Sequence, residues 1–302
     1  MSRCVLGTVA LVVLASGVAE PARGWGMDGH RIVCAVAYGL LAPELQGEVD
    51  RLVASYRRPD GRVHESFAEG CLFADDARIE ARNRTPGWSY FRRFDSWHFL
   101  NLPRDAAHVE ATHCGGNCVL EGVRVHSRRL GDLQLPDWKR GQALLMLGHW
   151  IGDVHQPLHV SFEDDLGGND VKPIRGGLYF PYWSRKGHLH GVWDSGILRV
   201  SMNGDDWQEY AERLLGEIDA SDRTEWLAGE PLGWAEESYA VAISPDADYC
   251  AWEDDDDGRW CSPEAHVRRL RAEYQELFGG VVDLRLEQAG TRLAAAIREE
   301  LE

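Results

Sequence analysis

Apolar residues recur at helical spacing along most of the chain. The first such stretch, 29–41, has Ile32, Val33, Val36 and Leu40 among its apolar positions, which is typical of a helix packed into a core. Pro43 separates it from a second stretch, and the same period returns further along. We predict helices over 29–41, 44–55, 71–82, 118–133, a stretch that Pro136 opens, 190–200, 205–218, 231–243, 266–278 and 284–301.

Five stretches lack this period. We predict a loop at 56–69, an extended aromatic segment at 95–103, a Gly-rich loop at 164–175, a short strand or hairpin at 178–185 and a solvated acidic loop at 252–260. Strands are scarce, and we find neither an internal repeat nor a long linker. The predicted fold class is therefore all-α, and 302 residues are enough for one large domain or two modest ones; the single domain over residues 25–302 follows only from the family resemblance given below.

A His and an Asp lie within the apolar stretch 144–151 and its continuation. His149 and Asp153 are four residues apart, so a helix projects both from one face, a turn apart. Pro157 ends or kinks that helix, and His159 lies just beyond it. The alternative is an amphipathic helix whose polar residues face water, but the surroundings are too apolar for that. The pattern therefore indicates metal ligands.

Further His and Asp residues stand beside aromatic or apolar residues elsewhere in the chain. His190 and Asp194 repeat the four-residue spacing, and two helices that each offer such a pair are difficult to explain by chance. The remaining candidates are His30, Asp75 and His98. A ligand set of imidazole nitrogen and carboxylate oxygen favours zinc over magnesium or calcium. One tetrahedral ion cannot use so many ligands, whereas two or three ions can.

The charge balance argues against one way of binding nucleic acid, namely through a basic groove. The chain has 49 Asp and Glu against 32 Lys and Arg, for a net charge of −17. A protein that held nucleic acid in a basic groove would have the opposite balance. Either the partner is not a polyanion, or bound cations take the place of Lys and Arg.

The first residues have the pattern of a secretory signal peptide. Arg3 supplies a positive start, residues 5–18 are apolar, and small residues follow. The apolar run is too short for a comfortable membrane span, and no later stretch is long enough either. Cleavage after Gly24 would leave Trp25 as the first residue, while cleavage after Ala19 also fits the rule. We expect a secreted or periplasmic protein without a membrane span.

The cysteines indicate disulfides rather than a metal site. Seven are present, and six remain when Cys4 in the signal segment is set aside. An even number in an exported protein suggests disulfide pairs. Cys114 and Cys118 flank a Gly-rich turn, and Cys250 and Cys261 flank the acidic loop. The spacing alone does not fix the connectivity, and the two other cysteines are Cys34 and Cys71.

Taken together and in order, these motifs resemble the S1/P1 nuclease family, within the phospholipase C/P1 nuclease superfamily. The resemblance runs from Trp25 to the C-terminus. Its motifs are Trp-Gly-Met-Asp-Gly-His at 25–30, Ala-Asp-Asp-Ala-Arg at 74–78, Trp-His-Phe-Leu-Asn at 97–101, His-Trp-Ile-Gly-Asp-Val-His-Gln-Pro-Leu-His at 149–159, Gly-Gly-Asn at 167–169, Leu-His-Gly-Val-Trp-Asp-Ser at 189–195 and Trp-Ala-Glu-Glu-Ser at 234–238.

The resemblance implies three zinc ions per chain. It assigns the first to Asp75, His98, His149 and Asp153. It assigns the second to His30, Asp153 and the free α-amine and carbonyl of Trp25, so that Asp153 bridges two ions. It assigns the third to His159, His190 and Asp194. Because an amide nitrogen hardly binds metal, the resemblance also implies cleavage after Gly24.

The resemblance further implies hydrolysis of single-stranded DNA or RNA to 5′-nucleotides, with 3′-nucleotidase activity as an open question. Asp75 would orient the attacking water, and Arg78 would neutralise charge in the transition state. Phe99 would stack on a base, while Asn101 and Asn169 would contact the same nucleotide. The family also suggests the pairs Cys34–Cys71 and Cys114–Cys118.

Two other functions are compatible with these residues. A zinc-dependent phospholipase C shares the fold and most of the ligands, but that family resembles this chain less at Asp194, where it has Glu. A non-catalytic zinc-binding secreted protein is the alternative from another class, and the presence of Arg78 argues against it. No stable protein partner is implied, and we expect a monomer.

Overall fold

Helices dominate the computed structural model, which describes residues 25–175, 187–255, 258–262 and 267–302. The predicted signal peptide and the predicted hairpin at 178–185 lie outside these ranges. Within them the helices are α1 Met27–Gly39, α2 Pro43–Ser55, α3 Phe67–Gly70, α4 Phe73–Arg82, α5 Ala111–Cys114, α6 Val119–Gly131, α7 Asp137–Val154, α8 Leu189–Gly191, α9 Ile197–Met202, α10 Trp207–Glu217, α11 Ala220–Trp226, α12 Pro231–Ala242 and α13 Tyr274–Leu301. The prediction of a mainly helical fold is confirmed.

Short strands and tight helical turns connect these helices. The strands are β1 Leu100–Leu102, β2 Val160–Phe162, β3 Lys172–Arg175, β4 Ala251–Asp255, β5 Gly258–Ser262 and β6 Val267–Leu270. β1 pairs with β2 and β3 with β6, both in parallel, while β4 and β5 form an antiparallel pair. Segments of 3-10 helix cover Ser89–His98, Pro157–His159 and Pro245–Ala247, and a π-helical turn covers Val192–Gly196. No helix among the described residues is both long and apolar enough to cross a membrane.

Helix α7 lies at the centre of the core. Every residue from Arg140 to Val154 is buried, so its apolar surface extends around the whole helix. A helix of that kind must be covered on all sides. Helices α1, α2, α4, α6, α12 and α13 pack against it. His149 and Asp153 therefore lie deep inside the molecule, where an uncompensated polar group is destabilising.

Three disulfides link neighbouring helices and the antiparallel strands β4 and β5. Cys34 of α1 bonds to Cys71, which follows α3, and this bridge passes over α7 at Gly148. The other pairs are Cys114–Cys118 and Cys250–Cys261. All three pairings agree with the expectations from the sequence and the family resemblance.

Four predictions of secondary structure were wrong. Most of the acidic segment 252–260 lies in the paired strands β4 and β5 instead of a loop, because acidic side chains do not prevent backbone pairing and Cys250–Cys261 joins the two arms. Within the predicted helix 266–278, residues 267–270 form β6, whose partner β3 is distant in the sequence. Helix α13 begins only at Tyr274 and then runs through the predicted break at 279–283, where packing against α1, α6, α7 and α9 outweighs the poor helix propensity of Gly279 and Gly280.

The fourth error concerns the aromatic segment that was predicted as extended at 95–103. Its first part belongs to the 3-10 helix Ser89–His98, and only β1 is a strand. Phe91, Phe94 and Trp97 recur every three residues, which is the 3-10 period and places their rings in one row. The ring centroids of Phe94 and Trp97 lie 4.7 Å apart. Helices α3 and α11 were not predicted, and β3 occupies the end of the predicted loop 164–175.

Gly148 should be essential for the packing of α7. A Cβ there would lie 2.6 Å from the sulfur of Cys71 and 2.7 Å from that of Cys34. Gly148→Ala should lower the free energy of unfolding by about 1–3 kcal/mol because of overpacking. The matched control is Gly47 of α2, where a Cβ would meet nothing within 4 Å. Gly47→Ala should raise stability by about 0.5–1 kcal/mol through helix propensity.

Denaturant unfolding of the two variants measures this contrast. If Gly148→Ala were as stable as Gly47→Ala, the bridge over α7 would not constrain the packing.

Candidate metal centre

Three clusters of His and Asp lie side by side in the core, each with ligand atoms within 4.8 Å of one another. They are His30, His149 and Asp153; Asp75, His98 and His149; and His159, His190 and Asp194. All of these residues are buried. They come from α1, α4, α7, α8, two 3-10 segments and the π-helical turn. The structure thus brings together every predicted side-chain ligand.

Asp153 of α7 is surrounded by four imidazoles. Its Oδ2 lies 3.1 Å from His98 Nδ1 and 3.2 Å from His149 Nε2. Its Oδ1 lies 3.4 Å from His30 Nε2 and 3.3 Å from His159 Nδ1. The side chain of Asp153 therefore borders more than one cluster, as the bridging role requires.

Asp75 stands slightly further away on α4. Its Oδ1 lies 3.7 Å from His98 Nδ1 and 3.9 Å from His149 Nε2, too far for hydrogen bonds. Ligand atoms at ~2.0–2.2 Å from a tetrahedral zinc are ~3.3–3.6 Å apart. The separations around Asp75 and Asp153 are thus close to those that an ion between the atoms would impose.

The ring nitrogens that face away from the clusters are held by backbone carbonyls. Nδ1 of His149 lies 2.8 Å from the carbonyl oxygen of Cys71, and Nδ1 of His190 lies 2.6 Å from that of Gly167. His159 Nδ1 lies 2.5 Å from the carbonyl oxygen of His98. A carbonyl oxygen only accepts hydrogen bonds, so Nδ1 of each ring carries a proton, and in the neutral imidazole Nε2 then presents a lone pair to the cluster.

The third cluster shows most directly that a cation fits. The Nε2 atoms of His159 and His190 lie 3.1 Å apart, and Asp194 Oδ1 lies 3.4 Å from His190 Nε2 and 3.8 Å from His159 Nε2. With both protons on Nδ1, two lone pairs and a carboxylate oxygen face one another in a buried space. This arrangement is repulsive by itself and becomes favourable around a metal ion.

Unpaired atoms around His30 support the same conclusion. Both ring nitrogens of His30 and Oδ1 of Asp153 are fully buried and have no hydrogen-bond partner among the described residues. Buried polar atoms normally have a partner, so such exceptions require an explanation. Gly152 is necessary here, since a Cβ at that position would lie 2.8 Å from His30 Nδ1.

Trp25, the predicted N-terminal ligand, is fully buried beside His30. Its side chain stands against Gly29, where a Cβ would lie 2.7 Å from Trp25 Cβ. The next residue, Gly26, donates its N–H to the carbonyl oxygen of Asp194 at 2.7 Å. The backbone around Trp25 is thus tied to a residue of the third cluster, while its α-amine exists only after processing.

Burial keeps most of the imidazoles neutral, as metal ligands must be. Removal from water lowers the pKa of His98 to about 4. The same cause lowers the pKa values of His30, His159 and His190 below the ordinary value.

The central pair behaves differently. Burial alone would raise the pKa of Asp153, but the imidazoles of His149 and His159 lower it well below its usual range. Burial would likewise lower the pKa of His149, yet Asp153 and Asp75 raise it to about 9. The carboxylates of Asp153 and Asp75 thus favour positive charge at this position, and a bound cation would supply it.

The residues predicted to contact substrate lie next to the clusters in the sequence. Arg78 follows Asp75 by one turn of α4 and is 9% exposed, and its guanidinium carbon lies 5.9 Å from the ring centroid of Phe99. In β1 the side chains of Leu100 and Leu102 are buried, whereas Asn101 is half-buried. Strand alternation therefore directs Phe99 and Asn101 to the same face.

The third predicted contact, Asn169, lies in a glycine turn. Its Nδ2 donates to the carbonyl oxygen of Leu166 at 2.7 Å. Gly167 has a φ of +65°, and a Cβ there would lie 2.5 Å from the carbonyl oxygen of Leu158. Only glycine allows this turn, which supplies both Asn169 and the carbonyl that holds His190.

Sequence reasoning missed the residue that supports Asp194. Gln156 donates from Nε2 to Asp194 Oδ1 at 2.5 Å and is fully buried. Its neighbour His155 belongs to none of the three clusters. The signal for Gln156 was its position inside the 149–159 motif, but its partner lies 38 residues away.

The fold and the site define a mainly helical protein whose core can hold several metal ions. The sequence model of the S1/P1 Nuclease family matches residues 25–302, and the chain belongs to that family. It is 27% identical to Endonuclease 2 of Arabidopsis thaliana over 294 residues, which cover 91% of this chain and 90% of the relative.

Fungal relatives match as well. Identity to Nuclease P1 of Penicillium citrinum is 25% over 244 residues, covering 73% of this chain and 81% of the relative. Identity to Nuclease S1 of Aspergillus oryzae is 24% over 309 residues, covering 92% of both chains. The chain is thus a member of a family of nucleases, which are phosphodiester hydrolases.

The position of Asp153 between the clusters predicts unequal metal loss. Because it borders two clusters, Asp153→Asn should remove about twice as much bound metal as Asp194→Asn, which borders one. The measurement is metal per folded chain by elemental analysis after gel filtration. His108→Ala is the control, since that side chain is 79% exposed and belongs to none of the clusters. Equal loss in both Asp variants would contradict the bridging role.

Proposed function

We propose that the chain is a secreted zinc-dependent endonuclease that hydrolyses phosphodiester bonds of single-stranded DNA or RNA to 5′-nucleotides. The observation that carries this proposal is the third cluster, in which Nε2 of His159, Nε2 of His190 and Oδ1 of Asp194 face one another while backbone carbonyls hold both Nδ1 atoms. Membership of a nuclease family over residues 25–302 supports the choice of substrate.

The clusters support a centre of three zinc ions. Asp75, His98, His149 and Asp153 would hold one; Asp153, His30 and the α-amine and carbonyl of Trp25 a second; and His159, His190 and Asp194 a third. Nitrogen and oxygen donors with imidazole in the majority favour zinc. The described residues offer a group of three side chains for each of three ions, although two of the groups share His149.

Bound zinc would supply Lewis acidity and an attacking water with a lowered pKa. The side chains do the positioning. Asp75 faces both His98 and His149 with Oδ1, and its Oδ2 would form the hydrogen bond that orients the water. Burial lowers the pKa of Arg78, and the positive charge of Arg82 lowers it further. Arg78 nevertheless remains charged, because the ordinary pKa of an arginine is far above neutrality. Its charge would stabilise the transition state and the leaving oxygen.

Substrate selection would come from the face that carries Phe99 and Asn101. The ring of Phe99 can stack on a base, and Asn101 can hydrogen-bond the edge of that base, with Asn169 on the same nucleotide. A base can enter only when it is unstacked, so single strands should be preferred. Release of the terminal phosphate from 3′-nucleotides is a second reaction that the same centre would support.

A nuclease assay tests this proposal. Purified protein should degrade single-stranded DNA or RNA to 5′-nucleotides, lose activity with a chelator and regain it with zinc. Arg78→Ala should lower kcat by about 100-fold because a transition-state charge is lost. Arg82→Ala is the matched control one turn further along α4, where the side chain pairs with Asp95. Cleavage of a phosphatidylcholine analogue without nuclease activity would support a phospholipase C instead, and zinc binding without either activity a non-catalytic protein.

Export is proposed on two observations. The three disulfides are typical of an oxidising compartment, and Trp25 is buried beside His30. N-terminal sequencing of the exported protein should give Trp25 as the first residue, since only a free amine can bind metal. If residues 20–24 remain on the exported protein, as after cleavage at Ala19, the α-amine of Trp25 cannot be a ligand. A mutant that retains this extension should bind less zinc than the mature protein.

A further inference from the structure

The segment Trp234-Ala-Glu-Glu-Ser238 of α12 belongs to none of the metal clusters, yet it lies against the end of the helix that carries Asp153. Trp234 and Ser238 are buried, and Glu237 is 40% exposed through its side chain. Two arginines of α13, Arg285 and Arg292, are each 2% exposed beside it. Charged groups this deeply buried need partners, and these partners show what the segment does.

The C-terminal end of α7 leaves backbone carbonyls that the helix itself cannot satisfy. Pro157 has no N–H to continue the helical pattern. The N–H of Leu158 donates to Gln156 Oε1 at 2.5 Å instead of to the helix. The whole stretch is buried, so the carbonyls of Val154 and His155 are removed from bulk water.

Side chains satisfy these carbonyls. Ser238 Oγ donates to the carbonyl oxygen of Val154 at 2.5 Å, and Arg285 Nε donates to that of His155 at 3.2 Å. His155 Nδ1 lies 2.7 Å from the carbonyl oxygen of Ile151. Three carbonyls at the end of α7 thus depend on side chains, two of which come from other helices.

A carboxylate and two guanidinium groups keep these donors in place. Glu237 Oε2 accepts from Arg285 Nη1 and from Arg292 Nη1, each at 2.6 Å. Arg285 Nη2 donates to Ser238 Oγ at 2.7 Å, and Arg292 Nη1 donates to His155 Nε2 at 2.8 Å. The positive charges also lie at the negative end of the α7 dipole, which is favourable.

The end of α7, which these side chains hold, is connected directly to the proposed metal ligands. Asp153 directly precedes Val154. Gln156 directly follows His155 and donates to Asp194 Oδ1 at 2.5 Å. The N–H of His159 donates to the carbonyl oxygen of Gln156 at 2.9 Å. A shift of the α7 end would therefore move ligands of more than one cluster together.

We propose that Glu237, Ser238, Arg285 and Arg292 form a clamp that positions the end of α7 and, through it, Asp153, Gln156 and His159 for metal binding. Glu237 and Ser238 are positioning residues, since neither belongs to a cluster. The proposal rests on the zinc centre of the proposed function.

The test compares zinc release from the mature, zinc-loaded protein. Ser238→Ala removes the donor to Val154, and Glu237→Gln removes the charge shared by the two arginines. Each should release zinc to a chromophoric chelator about 10–100-fold faster, because supporting partners of metal ligands have effects of that size. Glu236→Gln is the matched control on the same helix, since its carboxylate accepts from the N–H of Val109 at 2.6 Å and lies 3.3 Å from His108 Nδ1, away from the two arginines.

Release rates are measured far below the melting temperature of each variant, and melting curves of the zinc-free forms are recorded separately. A role in packing alone would lower the melting temperature of the zinc-free protein without accelerating zinc release. Release at the wild-type rate from both variants would overturn the clamp, as would equal acceleration in Glu236→Gln. A wild-type protein that holds no zinc would overturn the proposed function as well, whereas about three zincs with unchanged variants would overturn the clamp alone.

Discussion

Lone pairs that face one another inside a protein are stable only when a positive charge lies between them. The core of this chain is built around that constraint, with one carboxylate, Asp153, in contact with four imidazoles. Asp153 and Asp75 raise the pKa of His149, so these carboxylates favour positive charge at the centre of the cluster. Nδ1 atoms fixed by backbone carbonyls keep Nε2 of His159 and His190 open towards each other. The site is thus set up for cations before any cation binds.

Such a centre needs a scaffold that brings distant segments within a few ångströms. Helix α7 provides it, because a helix buried on all sides can meet ligands from several directions. Close approach is possible where side chains are absent: Gly148 admits the disulfide of Cys34 and Cys71, and Gly152 admits His30. The apolar packing of α7 and the polar chemistry of its end are therefore parts of one arrangement, in which backbone contact distances decide whether ligand atoms can converge.

The sequence was sufficient for local features and for a family resemblance, and insufficient for long-range pairing. The i,i+4 spacing of His149 with Asp153 and of His190 with Asp194 predicted shared helix faces, and the fold class and the disulfide pairs were confirmed. The strand β6 was missed because its partner β3 is remote in the chain. Gln156 was missed for the same physical reason, since the group that explains it, Asp194, is supplied by another helix. Local periodicity contains no information about such partners.

The acidic character of the chain is consistent with a polyanionic substrate when the location of positive charge is considered. A net charge of −17 repels a nucleic acid at a distance. On the proposed function, the metal centre and Arg78 place positive charge within a few ångströms of the bond to be cleaved. A duplex would have to approach the acidic surface with many phosphates, whereas a single strand can present one unstacked nucleotide to Phe99. Confinement of positive charge to the site would thus favour both single strands and release of the product, because few contacts outside the site hold the chain after cleavage.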